Sequence, residues 1–112
     1  MENRPPTDEH IGKTLDLREL VAYHRESIVS REILKTEKGT VTVFAFDRGQ
    51  GLSEHSAPFD AMVQVLDGTA AITISGVSHI VKAGETIIMP ANRPHALHAE
   101  TPFKMLLTMI RG

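Results

Sequence analysis

Short runs of β-forming residues, separated by turns at intervals near ten residues, are the feature that most constrains this fold. The clearest runs are Thr40 to Asp47, Met62 to Leu66, Ala70 to Ile74 and Phe103 to Ile110. In the last run, side-chain alternation puts four apolar residues on one face: Phe103, Met105, Leu107 and Met109. Eight or nine such strands predict a closed or two-sheet antiparallel structure, so the predicted fold class is all-β.

Helix signals are confined to one N-terminal segment. Asp16 offers an N-cap oxygen for the third amide of a helix, and Glu19 completes a capping box. Leu17, Leu20 and Val21 would share one face, so the pattern predicts a short helix ending near Tyr23. The polar residues 1–12, with two adjacent prolines, predict a flexible arm before a single domain over residues 13–112.

Composition excludes several classes of function. The 112 residues suffice for one core, and the lack of cysteine excludes disulfides, thiol nucleophiles and cysteine-based zinc sites. Twelve Lys and Arg against 14 Asp and Glu give a net charge of −2, which argues against a nucleic-acid partner. No apolar run approaches the ~20 residues of a membrane span, and the first ten residues lack the apolar segment of a secretory signal. We therefore expect a cytoplasmic domain that binds neither nucleic acid nor membrane.

Glycine, histidine and proline fall into two blocks of fixed spacing, within residues 49–68 and 84–99. The residues are Gly49, His55 and Gly68 in the first block and Gly84, Pro90 and His95 in the second. Five residues separate the first glycine from its histidine, and fifteen separate the two blocks. The blocks resemble the paired motifs of the cupin superfamily, in the small single-domain, conserved-barrel type, over about Thr40 to Ile110. The resemblance implies a double-stranded β-helix, or jelly roll, which agrees with the strand pattern.

The same resemblance implies a metal site, but this chain keeps only half of it. The four family ligand positions hold His55, Ala57, Ala61 and His95. Catalytic zinc usually has three protein ligands, and non-haem iron has two histidines and a carboxylate. His55 and His95 therefore predict, at most, one weakly held divalent ion such as Fe, Ni, Mn or Zn. Asn92 replaces a motif glycine, and asparagine tolerates the left-handed backbone that glycine would supply.

Other residues add candidates for a pocket rather than a third strong ligand. Alternation turns Gln64 and His98 away from the ligand face, and Asp60 precedes the lost glutamate position by one. Gln64 nevertheless lies in an apolar strand and needs a partner, either a pocket ligand or a neighbouring subunit. The predicted pocket residues are Gln64, Met89, His98, Phe103 and Met105. The predicted apolar interior also includes Ile72, Ile74, Leu97 and Leu107.

These residues support three hypotheses of function. The first is a module that binds or senses a small molecule through a degenerate metal site. The second is a metal-dependent dioxygenase or isomerase, in which water or substrate completes the shell of His55 and His95; a metal-free acid–base variant would use one neutral imidazole. In the third, both histidines are structural.

The resemblance also implies a homodimer. The predicted sheet-to-sheet interface consists of the long strand beginning near Ser27 and of four apolar residues: Phe44, Phe46, Leu106 and Ile110.

Overall fold

The chain forms two packed β-sheets, in a computed structural model that describes residues 2–4 and 10–111. The ten strands of the described residues are β1 (Glu2–Arg4), β2 (Ile28–Thr36), β3 (Gly39–Phe46), β4 (Gly51–His55), β5 (Ala61–Asp67), β6 (Thr69–Ile74), β7 (Val77–Lys82), β8 (Thr86–Met89), β9 (His95–His98) and β10 (Phe103–Ile110). The all-β prediction is confirmed. No helix in the described part of the chain is long and apolar enough to cross a membrane.

Strand order identifies the architecture as a jelly roll. The larger sheet has the order β1-β2-β3-β10-β5-β8 and the smaller sheet the order β4-β9-β6-β7. The pairs are antiparallel except β1 with β2. Apart from the β2–β3 and β6–β7 hairpins, every connection after β2 passes from one sheet to the other. The two sheets therefore form one double-stranded β-helix with its core between them.

The core between the sheets contains the residues predicted for the interior. Ile72, Met89, Leu97, Phe103 and Met105 are each at most 4% exposed, and Ile74 and Leu107 pack against them partly buried. The rings of Phe46 and Phe103 stack with centroids 4.5 Å apart and planes 9° apart.

Two aromatic residues predicted for a subunit interface lie in this core instead. Phe46 is fully buried, and Phe44 packs against the core cluster. Alternation along β3 could not show which of its faces meets the second sheet. It is the other face, with Val43 and Ala45, that points outward.

The predicted helix from Asp16 to Tyr23 is wrong in extent. Only one 3₁₀ turn forms, at Leu17–Glu19, and the Asp16 side chain accepts a hydrogen bond from the Arg18 amide at 3.1 Å rather than from the third amide. Beyond this turn the chain packs on the outer face of the larger sheet, where Val21 joins a second apolar cluster. Burial against the sheet therefore replaces the predicted helical turns.

Two polar contacts hold this N-terminal segment on the sheet. The Tyr23 hydroxyl donates to Asp67 Oδ2 at 2.5 Å, and Lys104 Nζ donates to the Arg18 carbonyl oxygen at 2.6 Å. Partial burial and the bond to Asp67 raise the pKa of Tyr23. Of the predicted arm over residues 1–12, residues 2–4 pair with β2 as strand β1. Residues 1 and 5–9 lie outside the described residues.

Candidate functional site

A β-bulge determines where His55 points. Leu52 pairs with Leu97 and His55 with His95, so three residue steps on β4 match two on β9. Regular alternation would place Leu52 and His55 on opposite faces of the strand. The extra residue re-aims the strand, as bulges commonly do beside functional sites. The His55 side chain therefore points to the same side of the smaller sheet as the buried residues of β9.

The two histidines predicted from the motif spacing are in direct contact. Their Nε2 atoms lie 3.1 Å apart, and the rings meet edge to face with centroids 4.4 Å apart and an interplanar angle of 73°. His95 is 5% exposed, whereas His55 is exposed. One ring of the pair is therefore exposed to solvent, and the other is buried.

Backbone carbonyl groups fix the orientation of both rings. His55 Nδ1 lies 2.7 Å from the Ser53 carbonyl oxygen, and His95 Nδ1 lies 3.2 Å from that of Arg93. Since a carbonyl oxygen can only accept, each Nδ1 carries the hydrogen of its ring. Both Nε2 atoms therefore carry a lone pair, and the two atoms lie 3.1 Å apart.

The buried ring of the pair, His95, disfavours the protonated form. Burial lowers the pKa of His95, and the charge of His55 lowers it further, against a smaller opposing effect of the Arg93 carbonyl group. Buried imidazole loses hydration when it becomes charged, which accounts for the leading cause. The pair thus consists of one buried neutral ring and one ring open to solvent.

The pair meets part of what a divalent metal ion requires. Two zinc–nitrogen bonds of ~2.0–2.1 Å can span a separation of 3.1 Å, and metal-binding histidines typically donate their second nitrogen to a carbonyl group or carboxylate. The remaining ligand positions hold Ala57 and Ala61, which offer no donor atom. In the described part of the chain, no three His, Asp or Glu side chains are placed to hold an ion. The site fits two ligands of a metal, not a full set.

The other predicted pocket residues divide into two groups. Met89, Phe103 and Met105 are buried between the sheets. Gln64 lies between Val63 and Val65 on β5 and therefore points to the outer face of the larger sheet. His98 is exposed, on the face of β9 opposite Leu97. The structure thus brings the two histidines and the three apolar residues to the inside, and places Gln64 and His98 outside.

Four polar residues on the inner face of the larger sheet were not predicted. Ser30, Thr40 and Thr42 are buried, and Glu32, half-buried, pairs with Thr42. Among the described residues, Glu32 Oε2 and Thr40 Oγ1 are buried without a hydrogen-bond partner. Alternation along β3 already places Thr42 on the same strand face as Phe44. Which of the two faces meets the second sheet depends on the tertiary structure, so the sequence did not show that Thr42 is buried.

Comparison with known proteins places the chain in one family. A family model described as the cupin domain matches residues 42–110. A conserved protein of unknown function from Streptococcus pyogenes is 42% identical, with a TM-score of 0.86, over 90% of this chain and 89% of that one. A cupin 2 conserved barrel domain protein from Leptotrichia buccalis is 41% identical, with a TM-score of 0.84, over 86% of this chain but 47% of that longer one.

More distant similarity extends to an enzyme, for the fold alone. A salicylate 1,2-dioxygenase from Pseudoaminobacter salicylatoxidans is 16% identical, with a TM-score of 0.69, over 74% of this chain and 25% of that one. Among curated proteins, none matches the chain. The two-sheet topology, the paired motifs with their contacting histidines and the match over residues 42–110 together show that this chain belongs to the cupin superfamily.

Proposed function

We propose that this protein binds a small molecule at the end of the barrel marked by His55 and His95, and that it does so without a resident metal ion. The observation that carries the proposal is the convergence of the two Nε2 atoms at 3.1 Å, with both Nδ1 atoms committed to backbone carbonyl groups. Two lone pairs on atoms 3.1 Å apart repel each other unless a proton, an ion or a ligand donor lies beside both. The alanines at positions 57 and 61 favour a ligand donor over a tightly held ion.

The surroundings define the class of ligand. Ile74, which pairs with His95, and Leu52, on the same strand as His55, are apolar and only partly buried, so they suit contact with an apolar body. An amine, which carries at least two N–H donors, would satisfy both Nε2 lone pairs, and a hydroxyl would satisfy one of them.

A second candidate function follows from the ring orientation. The carbonyl-held Nδ1 atoms leave both Nε2 atoms free as metal ligands. In that case the protein would be a metal-dependent dioxygenase or isomerase, in which water or substrate supplies the ligands that positions 57 and 61 lack. A metal ion there would polarise a bound oxygen or carbonyl group. His55 and His95 would hold the ion through their Nε2 atoms, and their Nδ1–H groups would remain hydrogen-bonded to backbone carbonyl groups.

Thermal-shift screening of the purified protein tests the first candidate. Ligands that bind only the folded state raise its stability by mass action, by about 2.7 kcal/mol at a hundred times Kd. We expect a small molecule with an apolar body and a donor group to raise Tm, and His55→Ala to abolish this shift. His98→Ala is the matched control, since His98 is an exposed histidine on the outer face of β9.

Each outcome assigns the function differently. A Tm shift that survives in the presence of a chelator, and is lost in His55→Ala but kept in His98→Ala, supports metal-free binding. A shift that requires an added divalent ion supports the enzyme. Shifts that are unchanged in His55→Ala would overturn both candidates and leave the histidines as structural residues.

A further inference from the structure

A row of paired side chains leads from the two histidines to the edge strand of the smaller sheet. The register pairs His55 with His95, His95 with Ile74, and Ile74 with Val77. Side chains paired directly across antiparallel strands lie on one face of the sheet, with Cβ atoms ~4.5–5.5 Å apart. We call these four residues the histidine row. It begins with two imidazoles and continues with two apolar side chains.

The histidine row lies on the inner face of its sheet, although its far end is exposed. Val81, further along β7, is 4% exposed and belongs to the core, so alternation places Val77 on the same inner face. Val77 is nevertheless 58% exposed, and Ile74 is only partly buried. The row therefore leaves apolar surface accessible beside the histidines.

Packing closes the direction toward the barrel core. In the next row inward, Leu97 is 4% exposed, and its partner Ile72 is fully buried. A molecule whose donor group lies at the Nε2 atoms can therefore extend across Ile74 and Val77, but not between Leu97 and Ile72.

Backbone hydrogen bonds hold the apolar end of the row in place. The turn at Ser75 and Gly76 has positive φ at both residues, 49° and 81°, as a tight two-residue hairpin requires. The Ser75 amide donates to the Pro94 carbonyl oxygen at 2.8 Å. This bond ties the turn before Val77 to the residue before His95. A site whose walls are fixed before a ligand arrives loses less free energy on binding.

We propose that Val77 determines specificity at the histidine site by selecting a primary amine with an elongated apolar body, an inference that rests on the proposed function. An ammonium group has three N–H donors and no acceptor, so it can donate to both Nε2 atoms at once.

Strand spacing sets the length of the apolar body. At ~4.8 Å between strands, Ile74 lies about 7 Å, and Val77 about 12 Å, from the midpoint between the two histidines. An extended alkyl chain advances ~1.3 Å per carbon atom. With the radius of the terminal methyl group included, butylamine would reach Ile74, and octylamine would reach Val77.

Isothermal titration calorimetry of chelator-treated protein with butylamine and octylamine tests the proposal. Burying one methylene group fully lowers Kd about fourfold, and contact on one side gives about half that free energy, so octylamine should bind the wild type about tenfold more tightly than butylamine. We expect Val77→Ser to reduce this ratio at least about threefold and to leave the Kd of butylamine unchanged. Ile80→Ser is the matched control, because Ile80 is 57% exposed on the opposite face of the same strand.

Protection from alkylation tests the position of the ligand, and the absence of native cysteine makes it simple. We expect saturating octylamine, but not butylamine, to slow the alkylation of the thiol in Val77→Cys. The thiol in Ile80→Cys should react at the same rate with either amine. Since both native side chains are already exposed, circular dichroism should show the same fold in every variant.

The outcomes separate this inference from the function on which it rests. A length dependence lost in Val77→Ser but kept in Ile80→Ser, with protection at position 77, supports the proposal. Amine binding that needs His55 but keeps its length dependence in Val77→Ser, no protection at position 77, or no amine binding would each overturn it. The proposed function fails as well only if no small molecule gives a Tm shift that His55→Ala abolishes.

Discussion

Replacing His55 and His95 singly and together measures how the two rings interact. If both Nδ1 atoms donate to carbonyl groups, the 3.1 Å contact between the Nε2 atoms is attractive only when a proton lies between them. The pKa of His95 is lowered below the ordinary histidine value of ~6.5, so a proton that enters the contact at about pH 6 meets a neutral acceptor on His95. At about pH 8.5 few protons are available from solution, and the contact then joins two lone pairs.

The expected interaction energy therefore changes with pH. A double-mutant cycle with His55→Ala, His95→Ala and the double variant cancels the separate packing and carbonyl contacts of each ring. At about pH 6 we expect a favourable coupling near 1 kcal/mol, the usual net contribution of one hydrogen bond. At about pH 8.5 we expect a coupling of zero or slightly unfavourable sign.

Urea denaturation of the chelator-treated protein at both pH values provides the four free energies of unfolding. Tm values of the same four proteins provide an independent check. A favourable coupling of equal size at both pH values would refute the reasoning, because it would require one ring to carry its hydrogen on Nε2. The pair would then be an ordinary structural hydrogen bond, and the case for a ligand site would lose its main support.

Three further predictions concern the scaffold. Gly68→Ala should destabilise the fold by about 1–3 kcal/mol more than Gly84→Ala in denaturant unfolding, because both glycines have positive φ but only at position 68 would a methyl group collide with the Pro102 carbonyl oxygen. Phe103→Ala should cost about 3–5 kcal/mol of unfolding free energy, since it removes a fully buried ring from the Phe46 stack; a cost under about 1 kcal/mol would contradict the packing described. Asp47 accepts hydrogen bonds from the Glu26 and Arg48 amides, which lower its pKa below the ordinary 3.8. Its contribution should be complete above that value and lost as pH falls through the lowered pKa, so Tm curves of wild type and Asp47→Asn should differ at about pH 6 and approach each other as the pH falls below 3.8.

Much of the architecture could be predicted from local sequence patterns. Alternation and glycine turns predict strands correctly because side-chain direction in a strand depends on neighbouring residues alone. Asn92 stands where the motif has a glycine, and it adopts the left-handed φ of 61° that this position requires. Its backbone N–H donates to the Ala57 carbonyl oxygen at 2.7 Å. The spacing of the two motifs also brought His55 and His95 together, although alternation alone would not have done so.

The remaining features depend on contacts between distant segments. The bulge in β4 that turns His55 toward His95 exists only in the pairing of β4 with β9. The Glu32 Oε2 and Thr40 Oγ1 atoms have no hydrogen-bond partner among the described residues, and this becomes visible only when the inner face of the larger sheet is known. The predicted helix after Asp16 gave way to burial against that sheet, since tertiary packing readily overrides helix propensity.

Metal content of the untagged protein, purified without nickel resin or chelator, tests the central claim most directly. Elemental analysis of the wild type beside His55→Ala and His95→Ala should find well under one equivalent of iron, nickel, manganese or zinc, with the same content in all three proteins. The two-ligand site would then be free for a small molecule. Near one equivalent of a single metal in the wild type, lost in both variants, would contradict the claim and establish the metal-dependent function instead.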